Sequence, residues 1–539
     1  MGKKDRPASW HGVRPARRHA VSRQMIERVA ERRRAGDWRG ACAAAGLEVT
    51  FDLDEIRREH GAETAGAVTD DLMHLAPDLV RWHLPRGEPF LLPGRQVILA
   101  EHGPLELSVS TTSGGPAPAR ILLHCRPSLS AQVRLRRGDL DQDWTGLRQL
   151  WDLRCLDGLR EWYGCSDRVP FLRPDGTPLS REELPAAPGP DDLAALTEWT
   201  AALSADGRLD DALTAVGVEP VEVSAWDFVR HRLAHVLSLD PVRLARTVRG
   251  LPGGAIIGRD TLCAARIEVD GGRLRLKALP ARGQKRDLPW LAEAAWRRPP
   301  DLDLLWRGDI VPEDLHPLIY GVLFPGREPA RPPGPPEVGP PPPVRVRCRD
   351  GAWHQVRFRD GRLRMPHDEE ELRREEALRA FGGEVIGCFT VPAAWRGARG
   401  RLPRELRRLR SELIMMFRNG DTDGALSLLD HVDPRTPCGD HGTLLHLVHL
   451  VDHERVLPRL LDAGLDPAAL DALHRTPLLV AIVEDGSPRL IEAFLDAGAP
   501  LHSAYGGVHR EIVESRLKRD LGHLRDRIEP LLPSPGRTG

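Results

Sequence analysis

One pattern near the C-terminus returns at a constant interval, and that interval constrains this chain more than any other feature. The segment GTLLHLVHLVDHERVLPRLLDAGLDP places Thr443 at the head of an apolar helical pattern. RTPLLVAIVEDGSPRLIEAFLDAGAP places Thr476 at the head of another. The same step leads from Thr476 to His509 and from Asp433-Pro434 to Asp466-Pro467, and Ser411 precedes Thr443 by one position less. A fixed period of about 33 residues means stacked supersecondary units. Each unit reads as two short amphipathic helices with a turn between them. Such a pair cannot bury its apolar face alone, so each is expected to pack against its neighbours. Thr443 and Thr476 are placed to N-cap the first helices, with Pro477 at N1, where its missing N–H costs nothing. Ser487 and Pro488 repeat that logic in a second helix. Gly464 and Gly498 are expected to end helices in the left-handed conformation. Pro458 is the misfit, several residues into its helix.

The motifs carry a resemblance. Thr476-Pro477-Leu478 opens one unit, with Leu479 at the next position, and Thr443-Leu444-Leu445-His446 opens another without the proline. Leu460-Leu461-Asp462-Ala463-Gly464 and Phe494-Leu495-Asp496-Ala497-Gly498-Ala499 close them. Over about 411–530 the chain resembles the ankyrin repeat family. That resemblance implies an all-α ankyrin-like solenoid with a concave face for a protein partner. It implies that His446 bonds neighbouring turns. The turn tips ahead of the inner helices, Asp440, His441, Asp471 and His474, are the expected protein-binding residues. The more polar terminal units suit capping repeats.

Upstream, GDWRGACAAAGLEV (36–49) aligns without gaps to GRLDDALTAVGVEP (207–220). A proline-bearing helix and strand patterns follow both. Two divergent copies of one α+β module are expected, 24–190 and 191–325, behind a disordered basic tail over 1–23. Residues 325–343 hold ten prolines in nineteen. A Pro-rich linker over 326–343 is expected as a semi-rigid spacer of about 60 Å. VRVRCRDGAWHQVRFRDGRLRM then alternates at period two, which predicts a small β/α domain over 344–405. The repeats take 406–530 and a disordered tail 531–539. The expected fold class is an α+β N-terminal body with a possible internal duplication, followed by the all-α solenoid.

Charge is distributed unevenly. Positions 1–23 sum to +6 and positions 411–509 to −9. The array should therefore steer a protein partner with a basic surface, while nucleic acid is left to the N-terminal tail alone. No signal peptide or apolar run long enough for a membrane span is present, so a cytoplasmic protein with no membrane partner is expected. The eight cysteines include no CxxC pair and read as reduced, buried thiols, with no metal and no cofactor. No catalytic residue is assigned. His231 and His235 stand four apart, but Arg232 occupies the glutamate position of HExxH. Asp139, Asp141 and Asp143 resemble a calcium loop, but Trp144 stands where the loop needs glycine. His74 and Asp78 read as a helix-surface pair. Trp82, Trp144, Trp151, Trp162, Trp199, Trp226, Trp290, Trp296 and Trp306 fall in helical patterns and read as core. The expected function is a scaffold or adaptor that binds protein through the array. The alternative is an enzyme or ligand-binding body in 22–325 with the repeats as its targeting arm.

Overall fold

A computed structural model describes residues 21–532, except 88–89, 113–119, 131–132, 134–139, 222–225, 261–262, 280–287, 338, 349–350, 382–386, 399 and 502–505. The expected basic tail lies outside the described residues except for its last three positions, and so does most of the C-terminal tail. Asp139 is outside them too. The chain forms two compact units that meet in sequence between Pro336 and Glu337. Among the described residues no helix is long and apolar enough to cross a membrane.

The N-terminal unit contains the same order of elements twice. Helices α1 (Arg23–Arg34) and α2 (Trp38–Ala44) lead into β1 (Leu47–Val49), and α3 (Leu53–His74) and α4 (Pro77–His83) follow. Strands β2 (Gln96–His102), β3 (Leu105–Thr111), β4 (Ile121–Pro127) and β5 (Asp141–Asp143) complete a sheet of order β1-β4-β3-β2-β5. In the second half, α5 (Leu193–Ala205) and α6 (Leu209–Ala215) lead into β6 (Val218–Val221). Helix α7 (Pro241–Arg249) and strands β7 (Gly254–Asp260), β8 (Cys263–Asp270) and β9 (Arg273–Ala278) then give the order β6-β9-β8-β7.

In both halves the short first strand pairs parallel with the last hairpin strand, Leu47 opposite Ile121 and Val218 opposite Leu274. The remaining pairs of each three-stranded meander are antiparallel. The matching sequences explain the shared entry. Gly46 (φ 71°) and Gly217 (φ 77°) take the left-handed turn that ends each hairpin's second helix. An arginine from the proline-started helix then bonds the carbonyl before each glycine, Arg81 to Ala45 and Arg249 to Val216. The module boundaries differ from those expected. Leu302, Leu305, Ile319 and Tyr320 pack into the core of the first half, not the second.

The Pro-rich stretch is not a free spacer along its whole length. Arg23 donates to the carbonyls of Pro332, Pro333 and Gly334, and Gly334 N–H donates to Glu313 O. Arg331 pairs with Asp314. Residues 327–334 therefore belong to the N-terminal unit. Proline prevents helix there, but its carbonyls remain strong acceptors for a nearby guanidinium.

The C-terminal unit overturns the expected fold class. The chain is mixed α/β in both units, and no all-α ankyrin-like solenoid stands apart. Strands β10 (Val344–Arg347), β11 (Trp353–Arg359) and β12 (Arg362–Arg364) form an antiparallel sheet. Helices α8 (Glu369–Ala380) and α9 (Val391–Trp395) follow, then the pairs α10 (Arg404–Arg418) with α11 (Thr422–Leu429), a 3-10 helix (Leu444–Leu450) with α12 (His453–Asp462), and α13 (Pro477–Val483) with α14 (Pro488–Asp496). One core runs from Val344 and Val356 of the sheet through Trp395, Phe417 and Leu445 to Leu478 and Phe494. The small domain and the helix pairs are thus one body. Trp395 explains the fusion: its ring is fully buried, its indole N–H donates to Asp433 O at 2.8 Å, and Thr436 Oγ1 donates to its carbonyl at 3.0 Å.

The two threonines do not begin equivalent helices. Thr476 caps an α-helix through Leu479 N–H, whereas Thr443 begins the 3-10 segment, tightened by i→i+3 bonds such as Val451 N–H to Val448 O at 3.2 Å. His446 Nδ1 accepts the Thr443 N–H, closing a capping box at the start of the segment. Gly464 (φ 80°) and Gly498 (φ 72°) do follow their helices in the left-handed conformation. Pro458 lies within α12 at an exposed position.

Candidate metal centre

Four side chains that sequence spacing did not connect converge beneath the three-stranded sheet. Strand β10 runs into Cys348, whose N–H donates to Ala352 O at 2.7 Å while Gly351 N–H donates to Cys348 O at 3.1 Å. Gly351 takes φ 82° where the chain returns into β11, and strand alternation keeps Cys348 on the same side as Val344 and Val346. On β11, His354 sits opposite Val346 and shares the inner face with Val356. His367 precedes α8, and Cys388 sits in a single 3-10 turn (Gly387–Thr390) that leads into α9.

Their donor atoms all lie within 4.8 Å of one another. Cys348 Sγ is 3.3 Å from Cys388 Sγ, too far for a covalent S–S bond of about 2.05 Å. His367 Nε2 is 2.7 Å from Cys388 Sγ and 3.5 Å from Cys348 Sγ. His354 Nδ1 is 3.1 Å from His367 Nε2 and 3.6 Å from Cys388 Sγ. A tetrahedral zinc ion with Zn–S of about 2.3 Å and Zn–N of about 2.05 Å has ligand–ligand edges of about 3.4–3.8 Å. The cluster is close to that size. Two thiols and two imidazoles are also the set that zinc prefers over hard, oxygen-seeking cations.

The surroundings orient the ligands. His367 Nδ1 donates to Glu371 Oε2 at 3.0 Å, which turns Nε2 toward the cluster. Glu371 is itself held by a capping box: Asp368 N–H donates to Glu371 Oε2, and Glu371 N–H donates to Asp368 Oδ1. A carboxylate behind a ligating histidine fixes its tautomer and raises its basicity. Phe389 packs on the other side of the His367 ring, 4.1 Å between centroids. Both cysteines lie in the unit's hydrophobic core, Cys388 fully buried.

The other cysteines behave differently. Burial pushes the thiols of Cys42, Cys165 and Cys438 up to about 12, so they stay protonated as small buried hydrophobes. The expectation of inert thiols and no metal did not anticipate that Cys348 and Cys388 stand with two histidines in a cluster that could hold a metal ion. The signal was present in the sequence as Cys-x5-His-x12-His-x20-Cys. It was missed because neither cysteine has a near partner, and only the hairpin and the 3-10 turn bring them together.

Comparison with protein families, curated proteins and solved structures finds no match.

The four expected protein-binding residues separate into two kinds. Asp440 and His474 are exposed and His441 is half-buried. Ala472 N–H donates to Asp440 O at 3.1 Å, which ties the two turns together. Asp471 instead builds the turn: it is 6% exposed and accepts from Leu473 N–H, Arg475 N–H and Arg475 Nε. Asp471→Ala should therefore cost about 1–3 kcal/mol in urea unfolding, the range for stranding buried donors. Asp440→Ala, which removes an exposed side chain, should cost well under that. His446 lies between turns, with Nε2 donating to Arg475 O at 3.1 Å, and burial holds its imidazole below the usual range.

The remaining candidates find structural roles. His231 and His235 lie 4.8 Å apart between centroids with their rings tilted by 52°, and no third ligand joins them among the described residues. His74 Nδ1 donates to Asp70 O, while Asp78 is buried against His316 at 3.0 Å. Asp141 lies in β5 and Asp143 caps the following turn at Thr145. Trp82, Trp144, Trp151, Trp296 and Trp395 are fully buried in cores.

Proposed function

We propose that this chain is a binding scaffold whose C-terminal unit is locked by one structural zinc ion, held by Cys348, His354, His367 and Cys388. The observation that carries this reading is the convergence of four N and S donors from the β10–β11 hairpin, the approach to α8 and the approach to α9, with Glu371 orienting one of them. Four protein ligands leave no open coordination position for substrate, so the ion's role is to hold structure. The ligands come from the sheet, the approach to α8 and the approach to α9, so one ion ties those segments into the core shared with the helix pairs. Elemental analysis of the purified chain should give one zinc per chain, and Cys388→Ser should abolish it. Zinc well below that ratio, or unchanged in the variant, would end the reading.

The partner proposed for the helix pairs is a protein with a basic surface. Their motif-level resemblance to ankyrin repeats and the −9 charge of 411–509 support it. Asp440, His441 and His474 are the proposed contacts, and Asp471 supports them from beneath. Asp440→Lys should weaken partner capture at low salt. Unchanged capture would place the contact elsewhere.

A second reading gives the N-terminal unit a small-molecule site. It is supported by a cleft of about 390 Å³ lined by Trp162, Thr197, Asp240, Arg243 and Arg246 among others. Arg243 lies 4.3 Å above the Trp162 ring and donates to Ala294 O at 3.0 Å. A metabolite thermal-shift screen in which nothing stabilises this unit would remove that reading.

A further inference from the structure

The side of the three-stranded sheet away from the metal cluster is a sheet of arginine. Strand alternation puts Val344, Val346, His354, Val356, Phe358 and Leu363 on the inner side. The outer side is set by the register. Arg345 stands opposite Gln355, and Arg347 opposite Trp353. Arg357 stands opposite Arg364, and Arg359 opposite Arg362. All eight outer residues are exposed. Like charges directly opposite each other destabilise a strand pair. Two such pairs in succession are therefore a cost that folding alone does not explain.

Among the described residues none of these six arginines has a carboxylate partner. Asp360, in the turn between β11 and β12, forms no ion pair with them among those residues, while Glu371 is taken by His367 and Glu369 by Arg373. On the helix pairs the arrangement is the reverse. There Arg455 pairs with Asp423, Arg459 with Asp430 and Arg489 with Glu454. A chain of net charge −1 thus concentrates unpaired cations on one small face.

That face also carries a large aromatic ring. Trp353 is 59% exposed, in a chain whose largest buried side chains are tryptophans. The Arg345 guanidinium lies 5.5 Å from its ring centroid. Guanidinium groups grip phosphate through paired N–H donors, and an exposed indole offers a stacking platform for an unpaired base. A lipid surface or an acidic peptide would use the arginines but give the indole no flat partner.

We propose that the outer face of β10–β12 binds single-stranded nucleic acid, with the six arginines on the phosphates and Trp353 stacked on a base. This surface is separate from the turn tips of the helix pairs and from the metal ligands.

The test uses the full-length, zinc-loaded protein and fluorescein-labelled dT12 and U12, read by anisotropy across a salt series. Binding should be micromolar near 0.1 M salt and should fall with a log–log slope no steeper than about −4, six contacts at about −0.7 each. The double variant Arg357→Glu/Arg364→Glu should weaken binding at least tenfold. Trp353→Ala should weaken it about tenfold with the salt slope unchanged. Zinc content and circular dichroism of each variant should match the parent, which separates lost binding from lost folding and from failure of the zinc reading. Replacing Arg14, Arg17 and Arg18 by Gln controls for the N-terminal tail and should leave most of the binding. The proposal is overturned if that tail variant abolishes binding or if the Arg357/Arg364 variant binds like the parent. It is also overturned if polyglutamate or phosphatidylserine vesicles compete as well as dT12, or if a 12-base-pair duplex binds as tightly and is indifferent to Trp353→Ala.

Discussion

Chelating the metal should melt the C-terminal unit and leave the N-terminal unit folded. Calorimetry of the zinc-loaded chain should show two transitions, because each unit has its own cores. Structural zinc contributes up to about 10–16 kcal/mol in small fingers that are unfolded without it. Here a hydrophobic core remains when the ion leaves, so a smaller loss is expected, about 5 kcal/mol. For a unit of this size that lowers Tm by roughly 10–20 °C. Cys348→Ser should reproduce most of the shift without chelator, and chelator should then add little. A C-terminal transition that ignores both treatments would show that the cluster carries no structural metal.

Leu478→Ala should produce the second large effect. Leu478 is fully buried in α13, within the core that continues to Val344 and Val356. Large-to-small changes at such positions cost about 2–5 kcal/mol. The shared core makes a sharper claim: zinc release during urea unfolding should shift to lower denaturant with the same midpoint as the loss of helix. If the helix pairs unfold while zinc stays bound, the sheet and the pairs are separate bodies after all. The N-terminal transition should not move in either case.

Much of the local structure was legible. Thr476 and Pro477 mark their helix start, and Ser487 and Pro488 mark the next. Gly464 and Gly498 mark stops. Gly46 and Gly217 announced two related hairpins, and the two sheets share one order over four strands, with β5 added to the first. The alternating arginines of 345–364 predicted strands, and strands they are. All of these signals are short-range. A cap, a left-handed glycine or a period of two acts within a few residues, so a single chain displays it without reference to the fold.

What the sequence determined by itself was therefore the inventory of elements and their polarity. It did not determine which elements share a core. The apolar faces of the helix pairs demanded partners, and a solenoid of like units satisfies that demand on paper as well as the actual mixed unit does. Trp395 and Val356 decided the matter by filling the space against the first pair, a choice made by volume and shape rather than by pattern. The proposed metal centre has the same origin. Cys348, His354, His367 and Cys388 are unremarkable singly and lie up to forty positions apart. Only strand pairing, the Gly351 turn and the capping box at Asp368 and Glu371 bring their donor atoms within 4.8 Å. A metal ion selects donors by distance in space, and tertiary structure alone sets that distance.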